Sequence, residues 1–175
     1  ISIRLVGSEM CIRDSLNDGW QKAVAHEPKR PHVLTFVALG GEGKTSLVSK
    51  WAGGLAATDW PGCDTAFAWS FYSQGSRDQI AVSSDLFLTE ALTFFGDSAM
   101  ANSAQGAYDK GKRLAQLVGE RQALLILDGL EPLQYAPTSP TPGQLKDQGV
   151  EALLKGLATS SQGPVSYTHL TLPTT

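Results

Sequence analysis

Cysteine is scarce in this chain, with two among 175 residues, Cys11 and Cys63. Cys11 lies in a terminal segment that we expect to be foreign to the protein, so one thiol remains. A single thiol has no partner for an internal disulfide, which excludes a disulfide-built scaffold and fits a reducing compartment. We therefore expect a cytoplasmic protein.

Long apolar runs and clusters of one charge are also missing. No stretch approaches the roughly 20 apolar residues that cross a bilayer, so no membrane partner is expected. The net charge is −3 and the basic residues do not cluster, which argues against a dedicated nucleic-acid surface. His26 and His32 have no histidine or cysteine at ligand spacing, and no Gly-x-Ser-x-Gly elbow or Asn-Lys-x-Asp guanine signature is present.

Both ends of the chain are predicted not to belong to the protein. Residues 10–14 (M-C-I-R-D) can be encoded by ATG TGT ATA AGA GAC, whose reverse complement encodes the V-S-Y-T-H of residues 165–169. Inverted complementary ends are what ligated library adapters leave on an insert. We expect residues 1–14 and 164–175 to be adapter-derived, and residues 15–163 to be one partial domain cut at both ends.

A phosphate-binding loop is the main feature of the remaining sequence. Residues 38–46 (A-L-G-G-E-G-K-T-S) follow a β-branched and aromatic run and open a segment with one apolar helical face. Strand, glycine loop, Lys-Thr and helix in that order are typical of such a loop, although Ala38 replaces the usual first glycine. The alternative is a glycine-rich turn with an exposed lysine.

The residue types of this loop indicate a magnesium-bound nucleoside triphosphate as the ligand. Glycines allow consecutive backbone N–H groups to point at one phosphate, and the helix N-terminus adds its positive end there. Lys44 is expected to contact the β- and γ-phosphates, and the Thr45 hydroxyl is expected to ligate Mg²⁺. The predicted nucleotide-binding residues are Gly40, Gly41, Glu42, Gly43, Lys44, Thr45 and Ser46.

A second candidate group follows the apolar run of residues 123–127. This run predicts a buried parallel strand that carries Asp128 at its carboxyl end. In a phosphate-loop protein that carboxylate holds Mg²⁺ opposite Thr45, whereas the alternative is an aspartate that starts a turn before Gly129. Glu131 is either the group that polarises an attacking water or an ordinary loop residue before Pro132. The predicted catalytic residues are thus Lys44, Asp128 and Glu131.

Periodicity places the other elements. It predicts helices near residues 16–25, 85–95, 107–118 and 150–157, and a second strand over residues 65–72. Ser84 is the predicted N-cap of the second of these helices. Residues 73–76 are expected to form a polar loop at the ligand side of the sheet. Residues 96–106 are a predicted loop, and the prolines between Pro132 and Pro142 predict an irregular stretch without packed structure.

With those residues placed, the chain resembles the STAND class of P-loop NTPases, which includes NACHT and NB-ARC ATPases. The matching segments are residues 33–46, residues 69–75 (W-S-F-Y-S-Q-G) and residues 124–134 (L-L-I-L-D-G-L-E-P-L-Q). Glu131 and Pro132 stand where NACHT proteins usually carry two acidic residues. The resemblance implies a three-layer αβα fold with a mostly parallel sheet of order 5-1-4-3-2. It also implies a homo-oligomer in the active form, with effector and sensor domains elsewhere in the protein.

That implied strand order has a physical consequence. It leaves the first strand without either neighbour, because strands 4 and 5 would lie beyond residue 163. A parallel strand without partners has unpaired backbone groups and wet apolar faces. We therefore expect residues 15–163 alone to be unstable, and residues 165–172, which alternate like a strand, to occupy the vacant position.

Three functions fit these patterns. The first is an ATP-binding switch that hydrolyses its nucleotide slowly, so that occupancy sets conformation. The second is a nucleotide-binding scaffold without turnover. The third is a P-loop kinase or phosphotransferase, for which residues 76–78 (S-R-D) are the candidate lid. The 175-residue chain by itself is expected to have no enzymatic activity.

Overall fold

The computed structural model describes residues 9–28, 30–36, 43–71, 84–136, 138–159 and 166–169. In these ranges helices and strands alternate along much of the chain. The elements in order are α1 (Glu9–Val24), β1 (Val33–Phe36), α2 (Lys44–Ala57), β2 (Thr65–Ser70), α3 (Asp85–Phe94), α4 (Ser98–Ala101), α5 (Ala107–Gly119), β3 (Ala123–Asp128), a 3₁₀ helix (Glu131–Leu133), α6 (Gln148–Thr159) and β4 (Ser166–His169).

The four strands form one parallel sheet of order β1-β4-β3-β2. β2 and β3 pair along their whole length, from Thr65 opposite Ala123 to Ser70 opposite Asp128. β4 lies between β1 and β3 and pairs with both. The predicted α/β class is confirmed. The position beside β1 that we expected to be vacant is filled by β4, which comes from the tail segment expected to occupy it.

Helices cover both faces of this sheet because β3 is apolar on both sides. Leu125 and Leu127 pack into a core with buried residues of α3, α5 and α6. Leu124, which points to the opposite face, packs with Trp51 of α2 and with residues of α1. An uninterrupted apolar strand is what a parallel sheet between two helical layers requires.

Two predicted boundaries differ from the structure for local reasons. α1 begins at Glu9 rather than at Leu16, which is fully buried. The predicted loop of residues 96–106 contains α4, because the Asp97 carboxylate accepts a hydrogen bond from the Met100 N–H at 3.0 Å and caps a single turn.

The proline-rich stretch is more ordered than predicted. Gln134 pairs with Leu145 in an antiparallel bridge, and the Lys146 N–H donates to the Leu133 carbonyl at 2.9 Å. The Gln134 side-chain amide donates to the Gly143 carbonyl at 3.0 Å, and both Leu133 and Gln134 are buried. The stretch is therefore a closed hairpin that begins next to the end of β3.

The predicted N-cap residue Ser84 does precede α3, but its hydroxyl makes no capping bond. Instead, its backbone N–H donates to the Asp147 carboxylate at 3.3 Å. The other oxygen of Asp147 accepts from the Val150 N–H at 2.9 Å and so caps α6. One carboxylate therefore ties together the starts of α3 and α6.

α5 and α6 approach so closely that glycine is required between them. A Cβ atom on Gly111 would lie 2.0 Å from the Gly149 carbonyl oxygen, and one on Gly156 would lie 2.6 Å from the Ala115 Cβ. By contrast, a Cβ atom on Gly53 in α2 would have nothing within 4 Å. The close packing of α5 and α6 therefore requires glycine at these positions, whereas α2 does not require glycine at residue 53.

The ion pair between Asp97 and Arg113 predicts an acid-sensitive contribution to stability. Arg113 Nε lies 2.7 Å from Asp97 Oδ2 and, together with the Met100 N–H, lowers the pKa of Asp97 below its ordinary 3.8. A carboxyl whose pKa is lowered by folding stabilises the folded state above its unfolded pKa, and this contribution is lost as the pH falls through the folded pKa. We expect Asp97→Asn to lower the melting temperature at pH 7, with the difference from the parent chain disappearing below pH 3.8.

Thermal unfolding of both chains across this pH range checks the prediction. Asp59→Asn is the matched control, because Asp59 is exposed and forms no ion pair among the described residues. A difference between Asp97→Asn and the parent that persists unchanged at the acid end would show that the charge is not its cause.

Candidate functional site

Two of the predicted site residues meet at the carboxyl edge of the sheet. The Thr45 hydroxyl, in the first turn of α2, lies 3.1 Å from Oδ1 and 3.3 Å from Oδ2 of Asp128, the last residue of β3. It can donate its proton to either carboxylate oxygen. Both distances exceed the 2.7–2.8 Å typical of strong hydroxyl hydrogen bonds. The hydroxyl is thus shared between the two oxygens in a long, solvent-exposed contact.

The backbone before α2 explains how Thr45 reaches this place. Gly43 has φ 74° and ψ 13°, a left-handed conformation that glycine adopts without steric cost. Its carbonyl accepts the first helical hydrogen bond, from the Leu47 N–H at 2.9 Å. The preceding N–H groups of the first turn have no intrahelical acceptor, as at every helix start, and carry the positive end of the helix dipole.

The rest of α2 is held rigidly, which fixes the position of its first turn. Leu47, Val48 and Trp51 are buried. The Trp51 indole N–H donates to the Asn17 side-chain oxygen at 3.0 Å, and its ring meets that of Trp20 edge-on with centroids 5.9 Å apart. Asn17 is a positioning residue that sequence reasoning missed, since nothing in the pattern of α1 links this exposed asparagine to α2.

Asp128 is placed by β3. The side chains of Ala123, Leu124, Leu125 and Leu127 are fully buried, so the strand is fixed up to the residue before the carboxylate. The chain then turns at Gly129, which has φ 71°. The Asp128 carbonyl accepts a hydrogen bond from the Phe71 N–H at 2.9 Å, just after β2. β2 and β3 therefore end at the level of the Asp128 carboxylate.

Glu131 lies at the start of the 3₁₀ helix, three residues after Asp128. Both of its carboxylate oxygens are buried and have no hydrogen-bond partner among the described residues. Buried carboxylates without partners are rare, because each loses its hydration without compensation. An orphaned acceptor next to the site fits a group that acquires a partner when ligand or water enters, but the role of Glu131 stays a prediction.

The other predicted residues are placed only in part. Gly43 and the backbone of Lys44 stand at the start of α2, and Ser46 is exposed in its first turn. Gly40, Gly41 and Glu42 lie outside the described residues, as do Ala38, the polar loop of residues 73–76 and the candidate lid of residues 76–78.

The donor set of this site suits magnesium. No group of three or more His, Cys, Asp or Glu side chains in the described part of the chain could form a metal cage. Mg²⁺ commonly uses one or two protein oxygens and completes its shell with phosphates and waters. The Thr45 hydroxyl and the Asp128 carboxylate, which lie 3.1 and 3.3 Å apart, would supply those protein oxygens.

Comparison with protein-family models and with curated proteins finds no match to this chain. No helix among the described residues is long and apolar enough to cross a membrane. The geometry of the site is therefore the basis on which a function is proposed.

Proposed function

We propose that this chain is the Mg²⁺-ATP-binding part of a P-loop NTPase of the STAND class. The contact between Thr45 and Asp128 carries this proposal. It joins a hydroxyl, at a helix start that follows a left-handed glycine, to a carboxylate at the end of a central parallel strand. These residues are 83 positions apart in sequence, and the resemblance to phosphate-loop proteins predicts this pairing. With β4 set aside, because it comes from the tail expected to be adapter-derived, the order leaves one strand position between β1 and β3, which is compatible with the implied sheet.

Each residue has a defined task in nucleotide binding. The first-turn N–H groups of α2 donate hydrogen bonds to phosphate oxygens, and the Lys44 ammonium offsets the negative charge of the phosphates. With Mg²⁺ bound, the Thr45 hydroxyl would offer it an oxygen lone pair, and the Asp128 carboxylate would hold it directly or through water. Mg²⁺, when bound, neutralises charge on the β- and γ-phosphates.

Slow hydrolysis is the activity that we propose for the complete protein, with Glu131 polarising the attacking water. The second candidate is a scaffold that binds nucleotide without turnover. It is favoured by the burial of both Glu131 oxygens, since an enclosed carboxylate contacts no bulk water. Measuring phosphate release from the complete protein before and after Glu131→Gln separates the two, because loss of turnover indicates the ATPase and an unchanged, silent protein indicates the scaffold.

Binding of a fluorescent ATP analogue to the 175-residue chain tests the site. We expect Mg²⁺ to strengthen binding, and Thr45→Ala to weaken binding in Mg²⁺ about tenfold, or ~1.4 kcal/mol. Thr58→Ala is the matched control, because Thr58 lies at the other end of α2, where its hydroxyl only contacts backbone carbonyls. Binding that is absent in the parent chain, or reduced equally by both substitutions, would contradict the proposal.

A further inference from the structure

Two side chains in the turn after β3 have buried oxygens that accept no hydrogen bond from any described residue. They are the carboxylate of Glu131, the first residue of the 3₁₀ helix, and the amide oxygen of Gln134, which follows that helix. The Gln134 residue is only 6% exposed. A buried oxygen that has lost its hydration without gaining a donor costs free energy. Two such residues in one short turn therefore indicate a site for a hydrogen-bond donor.

The backbone of this turn brings the two side chains together. The Gln134 N–H donates to the Glu131 carbonyl at 3.0 Å, which is the hydrogen bond between residues i and i+3 of a 3₁₀ turn. Side chains at these two positions eclipse each other along the axis of the turn. Leu133, the residue before Gln134, is buried in the core and anchors the turn. Glu131 and Gln134 therefore project from the same side of a fixed turn.

The hairpin fixes the orientation of the Gln134 amide. The amide nitrogen donates to the Gly143 carbonyl at 3.0 Å. Because a carbonyl oxygen only accepts hydrogen bonds, the nitrogen and not the oxygen of the amide must face Gly143. The atom left without a partner is thus an acceptor, as are both oxygens of an ionised Glu131 carboxylate. The two side chains therefore need a third group that has two donors.

We propose that Gln134 is a further catalytic residue, which together with Glu131 holds the water molecule that attacks the γ-phosphate. This inference rests on the proposed function. A water molecule has two O–H donors, and buried waters typically bridge polar groups that have no other partner. One O–H donates to the Glu131 carboxylate and the other to Gln134 Oε1. The lone pair of the water oxygen is then free to attack the phosphorus atom.

Gln134 orients the water in the hydrolytic step and does not change its own charge. The water oxygen forms a bond to the γ-phosphorus, and the bond from that phosphorus to the bridging oxygen breaks, with its electron pair staying on ADP. The proton that faces Glu131 passes to its carboxylate and returns to solvent when the products leave. The hydrogen that Gln134 holds stays on the inorganic phosphate.

Steady-state ATP hydrolysis by the complete protein tests this role. Gln134→Met removes the amide oxygen at nearly constant side-chain length, and we expect it to lower kcat about 100-fold, as misplacement of a reacting group does, without changing the KM for ATP. Gln144→Met is the matched control, because Gln144 is exposed in the same hairpin, and both constants are expected to stay unchanged. A Gln134→Met protein that hydrolyses ATP like the parent would overturn the proposal.

A double-mutant cycle distinguishes this role from closure of the hairpin. If both side chains hold one water, either substitution alone misplaces it, so the Glu131→Gln, Gln134→Met double variant is expected to be no slower than Glu131→Gln. If Gln134 acts only by closing the hairpin through Gly143, its loss lowers the rate by an independent factor. Effects of the two substitutions that multiply would therefore contradict a shared water.

Binding of the fluorescent ATP analogue to the 175-residue chain separates failure of this inference from failure of the proposed function. Gln134 contacts the water and not the nucleotide, so Gln134→Met is expected to bind as tightly as the parent, whereas Thr45→Ala binds more weakly. Equal weakening by both substitutions would rule out the role of Gln134. A parent that binds nucleotide but, as the complete protein, releases no phosphate overturns this role and leaves nucleotide binding intact. A parent that does not bind overturns both.

Discussion

Thr168→Pro is expected to remove most of the folding stability of this chain. The substitution deletes a donor from the strand that joins β1 to the rest of the sheet, and β1 pairs with no other strand among the described residues. Losing the ladder leaves backbone groups of β1 and β3 without partners, at about 1–3 kcal/mol for each buried group. The total stability of a small domain is only about 5–15 kcal/mol. We therefore expect no cooperative thermal transition by circular dichroism.

Thr168→Val is the matched control for this prediction. Valine keeps the N–H and the β-branched shape and replaces a hydroxyl by a methyl group, which suits a central parallel strand. We expect the Val variant to melt at the same temperature as the parent or higher. A Pro variant that melts like the parent would show that β4 contributes little to the fold, and a strongly destabilised Val variant would show that the Thr168 hydroxyl itself is needed.

Gly111→Ala is expected to destabilise the chain by about 3 kcal/mol. Alanine has the higher helix propensity, so an exposed helical site would gain about 0.5–1 kcal/mol from this change. At Gly111, however, the added Cβ meets the Gly149 carbonyl oxygen at 2.0 Å, and this is backbone that cannot rotate away. α5 and α6 must separate, which costs the packing between them, and overpacked cores typically lose about 1–3 kcal/mol.

Gly53→Ala provides the matched control, because the same substitution in α2 adds a Cβ where nothing lies within 4 Å. It is expected to stabilise the chain by about 0.5–1 kcal/mol. Urea titration of both variants gives their free energies of unfolding, and their opposite signs isolate the packing effect from helix propensity. If Gly111→Ala were stabilised as much as Gly53→Ala, the close approach of α5 and α6 would be wrong.

Strand boundaries are predicted most accurately where an apolar run ends at a charged residue. Residues 123–128 have the predicted boundaries because five apolar residues end abruptly at Asp128, and burial of the run leaves that carboxylate at the strand end. The phosphate-loop pattern and the strand that ends in Asp128 assign Thr45 and Asp128 to one magnesium site; their side chains do meet in the structure, and the metal role stays a prediction. Helix α5 was predicted to within one residue, since its apolar face repeats with helical spacing.

Features that depend on distant partners escaped prediction. Ser84 has the residue type of an N-cap, but the structure uses its backbone N–H and leaves the capping role at α6 to Asp147. The hairpin after β3 is closed by Gln134 across nine positions to Gly143, and no local pattern marks that contact. The place of β4 is an exception, because the implied strand order leaves a gap beside β1 and the alternating tail is expected to fill it.

The candidate site spans two layers of the molecule. Thr45 belongs to α2, which packs with α1 against one face of the sheet, whereas Asp128 ends a strand whose other face supports α3, α5 and α6. A ligand that contacts both side chains therefore links these layers. By mass action, such a ligand at a concentration one hundred times its dissociation constant adds about 2.7 kcal/mol to the free energy of unfolding. Binding of such a ligand would therefore stabilise the packing of α2 against the sheet.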